Sequence, residues 1–451
     1  MSGKPYLQLE LDEHSADAGA VTRIEAFLDS LRFYEYNSPM KEFSPSSQSL
    51  SPMKRTIFIP NMCDHAYAVR AAFERCGIKA EVMEEPDGES LMYGKRFTSG
   101  KECFPCVVTT GDMLRKINSP GFDRERSVFF MPGADGPCRF GLYSQFHRMV
   151  LDDLGYGDLP IYSPNSRTSY ANFNLKGKPF RKIGWQALVF VDCLIKSLLK
   201  TRPYELERGS AERIYYKYLR KMEEYVIKDG SLRELSEEAA YEFANLPRGI
   251  MALPVVGLVG EIYLRNNRFS NNHLITKVES LGLEVNLATF AEWINYTSYT
   301  FKLNSISKKD RKGLIKAILQ GYIQHFEENK IIKCFRKYFS IDREEPISHV
   351  LRLASPYLPI DVRGEAVLSI GKAIDFVHHG ASGIINCMPF NCMPGTIVTS
   401  LSWKISQDLG DIPWLNISYE GLQGTGEETR LEAFVDQVKN NHLVNQKEEI
   451  A

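Results

Sequence analysis

The chain has 451 residues, about three times a typical domain, which predicts two or three domains rather than one. Its 55 Lys+Arg nearly cancel 56 Asp+Glu, for a formal net charge of -1. No basic excess is left to neutralise phosphates, which argues against a general nucleic-acid or acidic-membrane binder. The hydrophobic content of 43% supports ordinary cores. The start, MSGKPYLQLELDEH, has no apolar leader behind a basic segment, so secretion is not expected. Nine cysteines, an odd count, suit reduced thiols in the cytoplasm better than a disulfide framework.

Residues 38–52 form the clearest linker, because nine of the fifteen are Ser or Pro and cannot bury apolar surface. Beyond it, strands and helices alternate. TIFIP (56–60) reads as a buried strand. Residues 64–76 read as a helix with Ala68, Ala71, Ala72 and Cys76 on one face and Gly77 at its stop. A strand follows at 80–83, a helix at 107–117, a strand at SVFFM (127–131), a helix at 140–154 and a strand at 160–163. Residues 184–246 are helical and charge-rich. The most apolar stretch, 185–199, is broken by Asp192 and Lys196 and is too short to span a bilayer. A second alternation opens at PVVGLV (254–259), with helices at 273–281, 308–339, 366–378, 396–409 and 427–438 and strands at 383–386 and 414–417.

The expected fold class is α/β: two doubly wound lobes of the Rossmann or flavodoxin type, with parallel sheets, joined by a helical segment. The boundaries read as a strand-loop-helix unit over 1–35, a linker over 36–54, a first lobe over 55–180, a helical connection over 181–250 and a second lobe over 251–451. One internal repeat supports duplication. Residues 5–31 and 413–438 align, and both open a helix with Thr-Arg-x-Glu-Ala-Phe-x-Asp. The first copy reads as the tail of a lobe missing from this chain.

The cysteines sort by position. Cys76, Cys193 and Cys334 lie in helical patterns beside apolar neighbours and read as small buried hydrophobes. Cys103 and Cys106 form the Cys-x-x-Cys of GKECFPC. Cys138 lies in GPCRFG, Cys387 and Cys392 in NCMPFNCMPG, and Cys63 follows TIFIP. All six are expected on strand-to-helix loops, the edge of an open sheet where ligands bind and where a helix dipole favours a thiolate. Pro105, Pro137 and Pro394, with Gly136 and Gly395, suit tight turns that aim backbone amides at sulfur. Spacing alone leaves an iron–sulfur site, a structural zinc site and a thioredoxin-like redox pair open.

No Gly-x-x-x-x-Gly-Lys-Ser/Thr loop and no Gly-x-Gly-x-x-Gly fingerprint follows any predicted strand, so nucleotide hydrolysis by this chain is unsupported. Asp64-His65 could serve acid–base chemistry, but at a helix start Asp64 reads first as a cap. Asn271 and Asn272 read as caps of the next helix, and His378-His379 as partners of helix-end carbonyls.

The motifs GKECFPC, GPCRFG, GEIYLRNNRFSNN and CMPG, with the two Thr-Arg-x-Glu-Ala-Phe units, carry a resemblance over essentially the whole chain. It resembles the C-terminal portion of the activase-related proteins of the 2-hydroxyacyl-CoA dehydratase and benzoyl-CoA reductase group. Larger members carry actin-like ATPase domains ahead of this portion. The resemblance implies a [4Fe-4S] cluster, or a double-cubane cluster in some relatives, held by Cys103, Cys106, Cys138 and Cys392. It also implies electrons driven in at low potential by a partner ATPase activator of the actin-like fold, for a small-molecule substrate such as an acyl-CoA. A second α/β subunit or a homodimer partner fits the same picture. Cys63 and Cys387 depart from the family pattern. The rival reading is a non-catalytic assembly or electron-relay subunit stabilised by an iron–sulfur or zinc site.

Overall fold

The computed structural model describes residues 7, 21, 24–28, 31, 55–134, 136–164, 179–250, 252–339, 344–421 and 426–450, with side chains to 443. The chain divides into two units, Met1–Leu50 and Ser51–Ala451. In the first, residues 24–28 are helical. The linker expected over 38–52, and most of the repeat copy over 5–31, lie outside the described residues.

The second unit is α/β, with two four-stranded parallel sheets of the same order. The first contains β1 (Thr56–Ile59), β2 (Ala80–Val82), β3 (Ser127–Phe130) and β4 (Ile161–Tyr162), in the order β2-β1-β3-β4. The second contains β5 (Val255–Gly260), β6 (Glu284–Leu287), β7 (Gly383–Pro389) and β8 (Trp414–Tyr419), in the order β6-β5-β7-β8. Their central strands are apolar runs buried on both faces, as parallel strands covered by helices must be. Two doubly wound lobes result.

Helices α1 (His65–Arg75), α2 (Gly88–Arg96), α3 (Phe104–Ile117) and α4 (Tyr143–Asp153) belong to the first sheet. Between the sheets in sequence come α5 (Phe180–Leu199), α6 (Ser210–Ile227) and α7 (Leu232–Ala244). They pack with α1 around Phe190, Tyr215, Tyr218, Met222 and Phe243, all fully buried. Each such side chain contributes about 1.5–3 kcal/mol on burial. The second lobe adds α8 (Ile262–Asn266), α9 (Leu274–Ser280), α10 (Phe290–Ser307), α11 (Arg311–Arg336), α12 (Ile347–Ala354), α13 (Glu365–His378), α14 (Met393–Asp408) and α15 (Glu427–Ile450). Phe335 of α11 joins the helical core, whereas Ile315, Ile318, Leu319, Tyr322, Ile323 and Phe326 form an uncovered apolar stripe. Among the described residues, no helix is long and apolar enough to cross a membrane.

Phe104 and Val108 of α3 pack into the core of the second sheet, so the two lobes share apolar contacts. Polar ties reinforce them: the Asn267 amide donates to the carbonyls of Asn61 (3.2 Å) and Met62 (3.3 Å), and Arg268 pairs with Asp64 at 2.8 Å.

Two sequence expectations need correction, and helix α2 was not foreseen. Helix α2 has no clear periodicity in GESLMYGKR, yet forms because the Asp87 carboxylate accepts from the Ser90 amide and the helix crosses closely over α3. Cys103 and Cys106 therefore sit between two helices, not between a strand and a helix. Cys103 is the N-cap of α3 and Cys106 lies in its first turn, with Pro105 among the first helical positions. Cys387 is not in a loop either. It lies within β7, whose pairing with β5 and β8 carries the strand on to Pro389.

Candidate functional site

In each sheet the chain leaves the two central strands in opposite directions, which opens a crevice at their carboxyl ends. The loop after β1 carries Cys63, that after β3 carries Cys138, that after β5 begins at Glu261 and that after β7 carries Cys392. Both switch points thus bear sulfur.

Cys138 is the N-cap of a 3-10 turn, Arg139–Leu142, and its Sγ accepts from the Phe140 amide at 3.5 Å. Cys392 is the N-cap of α14 but its side chain makes no cap hydrogen bond. Only at Cys138 does an amide meet sulfur as the Pro/Gly turns led one to expect. Cys103 packs with Cys106, Met131 and Tyr143.

Burial is the largest influence on all four thiols and pushes every one up, Cys138 to about 12. Their mutual fields show which are neighbours. A charge on Cys103 raises Cys106 and Cys138, and a charge on Cys138 raises Cys392. Opposing this, the Arg139 guanidinium lowers Cys103 and Cys106. Arg139 also donates to the carbonyls of Lys101 and Asn391, both at 2.7 Å, tying the Cys103, Cys138 and Cys392 segments together.

Two carboxyls missed in the sequence complete the crevice. Glu261 is the N-cap of α8 and accepts from the amides of Tyr263 (3.1 Å) and Leu264 (2.9 Å). Glu365, first in α13, accepts from the Ile262 amide at 2.9 Å. Burial, then the charge of Glu261, pushes the Glu365 carboxyl well above the usual carboxylate range. The signal for Glu261 was its place directly after the apolar strand VVGLVG. Gly260, at φ +110, lets the backbone lie on the Cys387 carbonyl, where a Cβ would come within 2.1 Å.

The remaining cysteines stand apart. Cys387 is fully buried under this turn, and its carbonyl accepts from the Glu261 amide at 2.9 Å. Cys63 is half-buried beside His65. Cys76, Cys193 and Cys334 are buried among apolar side chains, and all nine cysteines are free thiols. Asp64 occupies the N-cap position of α1 but makes no side-chain cap. Its carboxylate instead accepts from Tyr215 at 2.5 Å and Arg268 at 2.8 Å. The N-cap of α9 is His273; Asn271, two residues earlier, accepts from the Leu274 amide at 3.2 Å, Asn272 donates to Glu427 at 3.2 Å, and His379 meets the Asp375 carbonyl at 2.8 Å.

The donor set suits a group that binds soft anionic ligands: four thiols at or near helix starts, an adjacent guanidinium and apolar walls that exclude water. Among the described residues, no group of three or more His, Cys, Asp or Glu side chains is placed to hold a metal ion. No protein-family model matches the chain, and no curated protein matches it at a significant level.

Proposed function

We propose that Cys103, Cys106, Cys138 and Cys392 hold an iron–sulfur cluster, and that this chain is the iron–sulfur component of an ATP-dependent low-potential reductase or dehydratase system. The observation that carries this reading is the pair of Arg139 hydrogen bonds, which tie the segments bearing Cys103, Cys138 and Cys392 together beside the packed Cys103 and Cys106. A bound [4Fe-4S] cluster, or a double-cubane one, accepts and donates single electrons. Around it, the Phe140 amide directs partial positive charge at the Cys138 sulfur, Phe140 and Met131 exclude water, and burial beside Glu261 favours the protonated form of Glu365.

The chain carries no phosphate-binding loop motif, so ATP use falls to a partner, an activator of the actin-like fold. The uncovered stripe on α11 supports a protein partner, a second α/β subunit or another copy of the chain. The electron acceptor is a small molecule, an acyl-CoA by the family resemblance, and the cytoplasm is the compartment that keeps such thiols reduced.

The test is anaerobic purification of the full chain with iron, sulfide and zinc analysis and electron paramagnetic resonance. Iron and acid-labile sulfide in the as-isolated protein, with a reduced-cluster signal after dithionite, are expected. Iron should be lost in Cys138→Ala and Cys392→Ala. A colourless protein loaded with zinc overturns the reading and identifies a structural metal site instead.

A further inference from the structure

A second constellation lies away from the four clustered thiols, at the carboxyl end of β1. His65 opens α1 and is 1% exposed. Its Nε2 meets Asp192 Oδ1 at 3.0 Å, across 127 residues of sequence. Asp192 is the residue that interrupts the most apolar stretch of the chain. Its carboxylate is held in turn by the amides of Phe290 (3.0 Å) and Ala291 (2.8 Å) at the start of α10. The Phe290 ring stacks on the imidazole, with centroids 4.6 Å apart and planes 20° from parallel. The ring is therefore clamped on one edge and one face.

With Nε2 engaged, the other ring nitrogen remains. Nδ1 of His65 is buried and has no hydrogen-bond partner among the described residues. The thiol two residues earlier, Cys63, is close enough to interact with the ring and is half-exposed. It lines a narrow, partly open cleft between the lobes with Asn61, Asp64, Glu85, Asn267 and Arg268. The N-terminus of α1 favours an anion at this position. An accessible thiol, an imidazole with one unpartnered nitrogen and a fixed carboxylate behind it form the arrangement that activates a nucleophile.

We propose that Cys63, His65 and Asp192 form a second reactive centre, in which the Cys63 thiolate attacks the carbonyl carbon of a small activated ester or thioester. The bond from sulfur to carbon forms, and the bond to the leaving group breaks. The leaving group takes the proton held by His65, and the acyl group remains on Cys63. Water then attacks that acyl group, His65 receives the water proton, and a carboxylic acid leaves as the thiolate is restored. No electron donor or acceptor is required. The ionisation of His65 is consistent with this role: burial lowers it, but Asp192 and Cys63 outweigh burial and raise it to about 10. The proton thus resides on the ring. Cys63 and His65 are catalytic residues here, and Asp192 is a positioning residue that acts through His65.

The test uses the full chain, held anaerobically, with p-nitrophenyl acetate as the probe. One equivalent of p-nitrophenolate should appear in a burst, at least tenfold faster than with N-acetylcysteine at the same pH. Mass spectrometry should place the acetyl group on Cys63. Cys63→Ser should remove the burst, and His65→Gln should slow it by about 100-fold or more. Asp192→Asn offers its amide where Nε2–H was accepted, which leaves the ring in the wrong tautomer and should slow the burst by no more than His65→Gln does, about 10- to 100-fold, at an unchanged circular dichroism spectrum. If the buried-site variants fail to fold, the wild-type rate and the acetylation map decide. Acetylation of other cysteines instead, a rate equal to that of N-acetylcysteine, or an unaltered burst in folded His65→Gln would each overturn the proposal.

Discussion

The Arg139 guanidinium donates to the Asn391 carbonyl at 2.7 Å, across 252 residues of sequence. One residue after Cys138 is thereby fixed to one residue before Cys392, and the same side chain reaches the Lys101 carbonyl ahead of Cys103. Arg139→Met keeps the length of the side chain but deletes both bonds. Because the arginine is exposed, the loss in stability should be only about 1 kcal/mol. Retention of bound iron should suffer more, by about tenfold in affinity, as for other groups that orient metal ligands. Urea unfolding and iron per chain after gel filtration measure the two effects.

Cys387 and the four crevice cysteines should separate cleanly. Cys387 is fully buried in β7 between β5 and β8. Cys387→Ser puts a hydroxyl into that apolar layer and should cost about 1–3 kcal/mol, read as a lower urea midpoint. Iron content should stay at the wild-type level. Loss of iron at unchanged stability would instead make Cys387 a ligand.

Gly111 has no space for a side chain. A Cβ there would lie 1.7 Å from the Ser90 carbonyl oxygen of α2, a backbone atom that cannot rotate away. Gly111→Ala should push α2 off α3 and lower stability by about 3 kcal/mol. Leu91 of α2 packs against the core of the second sheet, so the variant should also become more sensitive to proteolysis near residues 88–96.

Glu344 couples folding to acid. Burial works against its ionisation, but Lys196 and Lys372 outweigh burial and hold the carboxyl well below the usual range. Lys372 donates to Glu344 at 2.7 Å and to Asp375 at 2.9 Å. A depressed folded-state value stabilises the protein above the unfolded carboxyl value, about 4.3, and the gain is lost as pH falls below it. The stability difference between wild type and Glu344→Gln should therefore be flat from pH 5 to 8 and shrink below about pH 4. Lys372→Met removes the ammonium shared by Glu344 and Asp375, leaves Lys196 as the partner of Glu344, and should cost about 3 kcal/mol at neutral pH. Urea midpoints across the pH series check both.

Several elements were legible because their signal is local. TIFIP, SVFFM and PVVGLV are short apolar runs rich in residues that suit strands covered on both faces, and all three form central strands. Gly77 stops α1 at φ +73 as its position foretold. Helix α10 was not legible: NYTSYTF is rich in aromatic and β-branched residues that weaken helix propensity, although Thr289 accepts from the Glu292 amide as a cap should. Helix α2 depends on its crossing with α3, which no local pattern encodes.

For the candidate site, residue type and position along the chain identified Cys76, Cys193 and Cys334 as core residues but placed Cys387, which is buried within β7, among the loop cysteines. Composition and periodicity also determined an α/β chain with parallel strands, because burial on both faces leaves its mark on each strand by itself. Which sulfurs become neighbours was decided by strand order, since only the β2-β1-β3-β4 and β6-β5-β7-β8 arrangements bring the loops after β3 and β7 to switch points. The same holds for Glu261 with Glu365, for Arg139 with Asn391 and for His65 with Asp192. Each of these pairs is joined by a bond or field that acts over a few ångströms in space and over a hundred residues or more in sequence. Local chemistry names the candidate groups, and folding alone selects their partners.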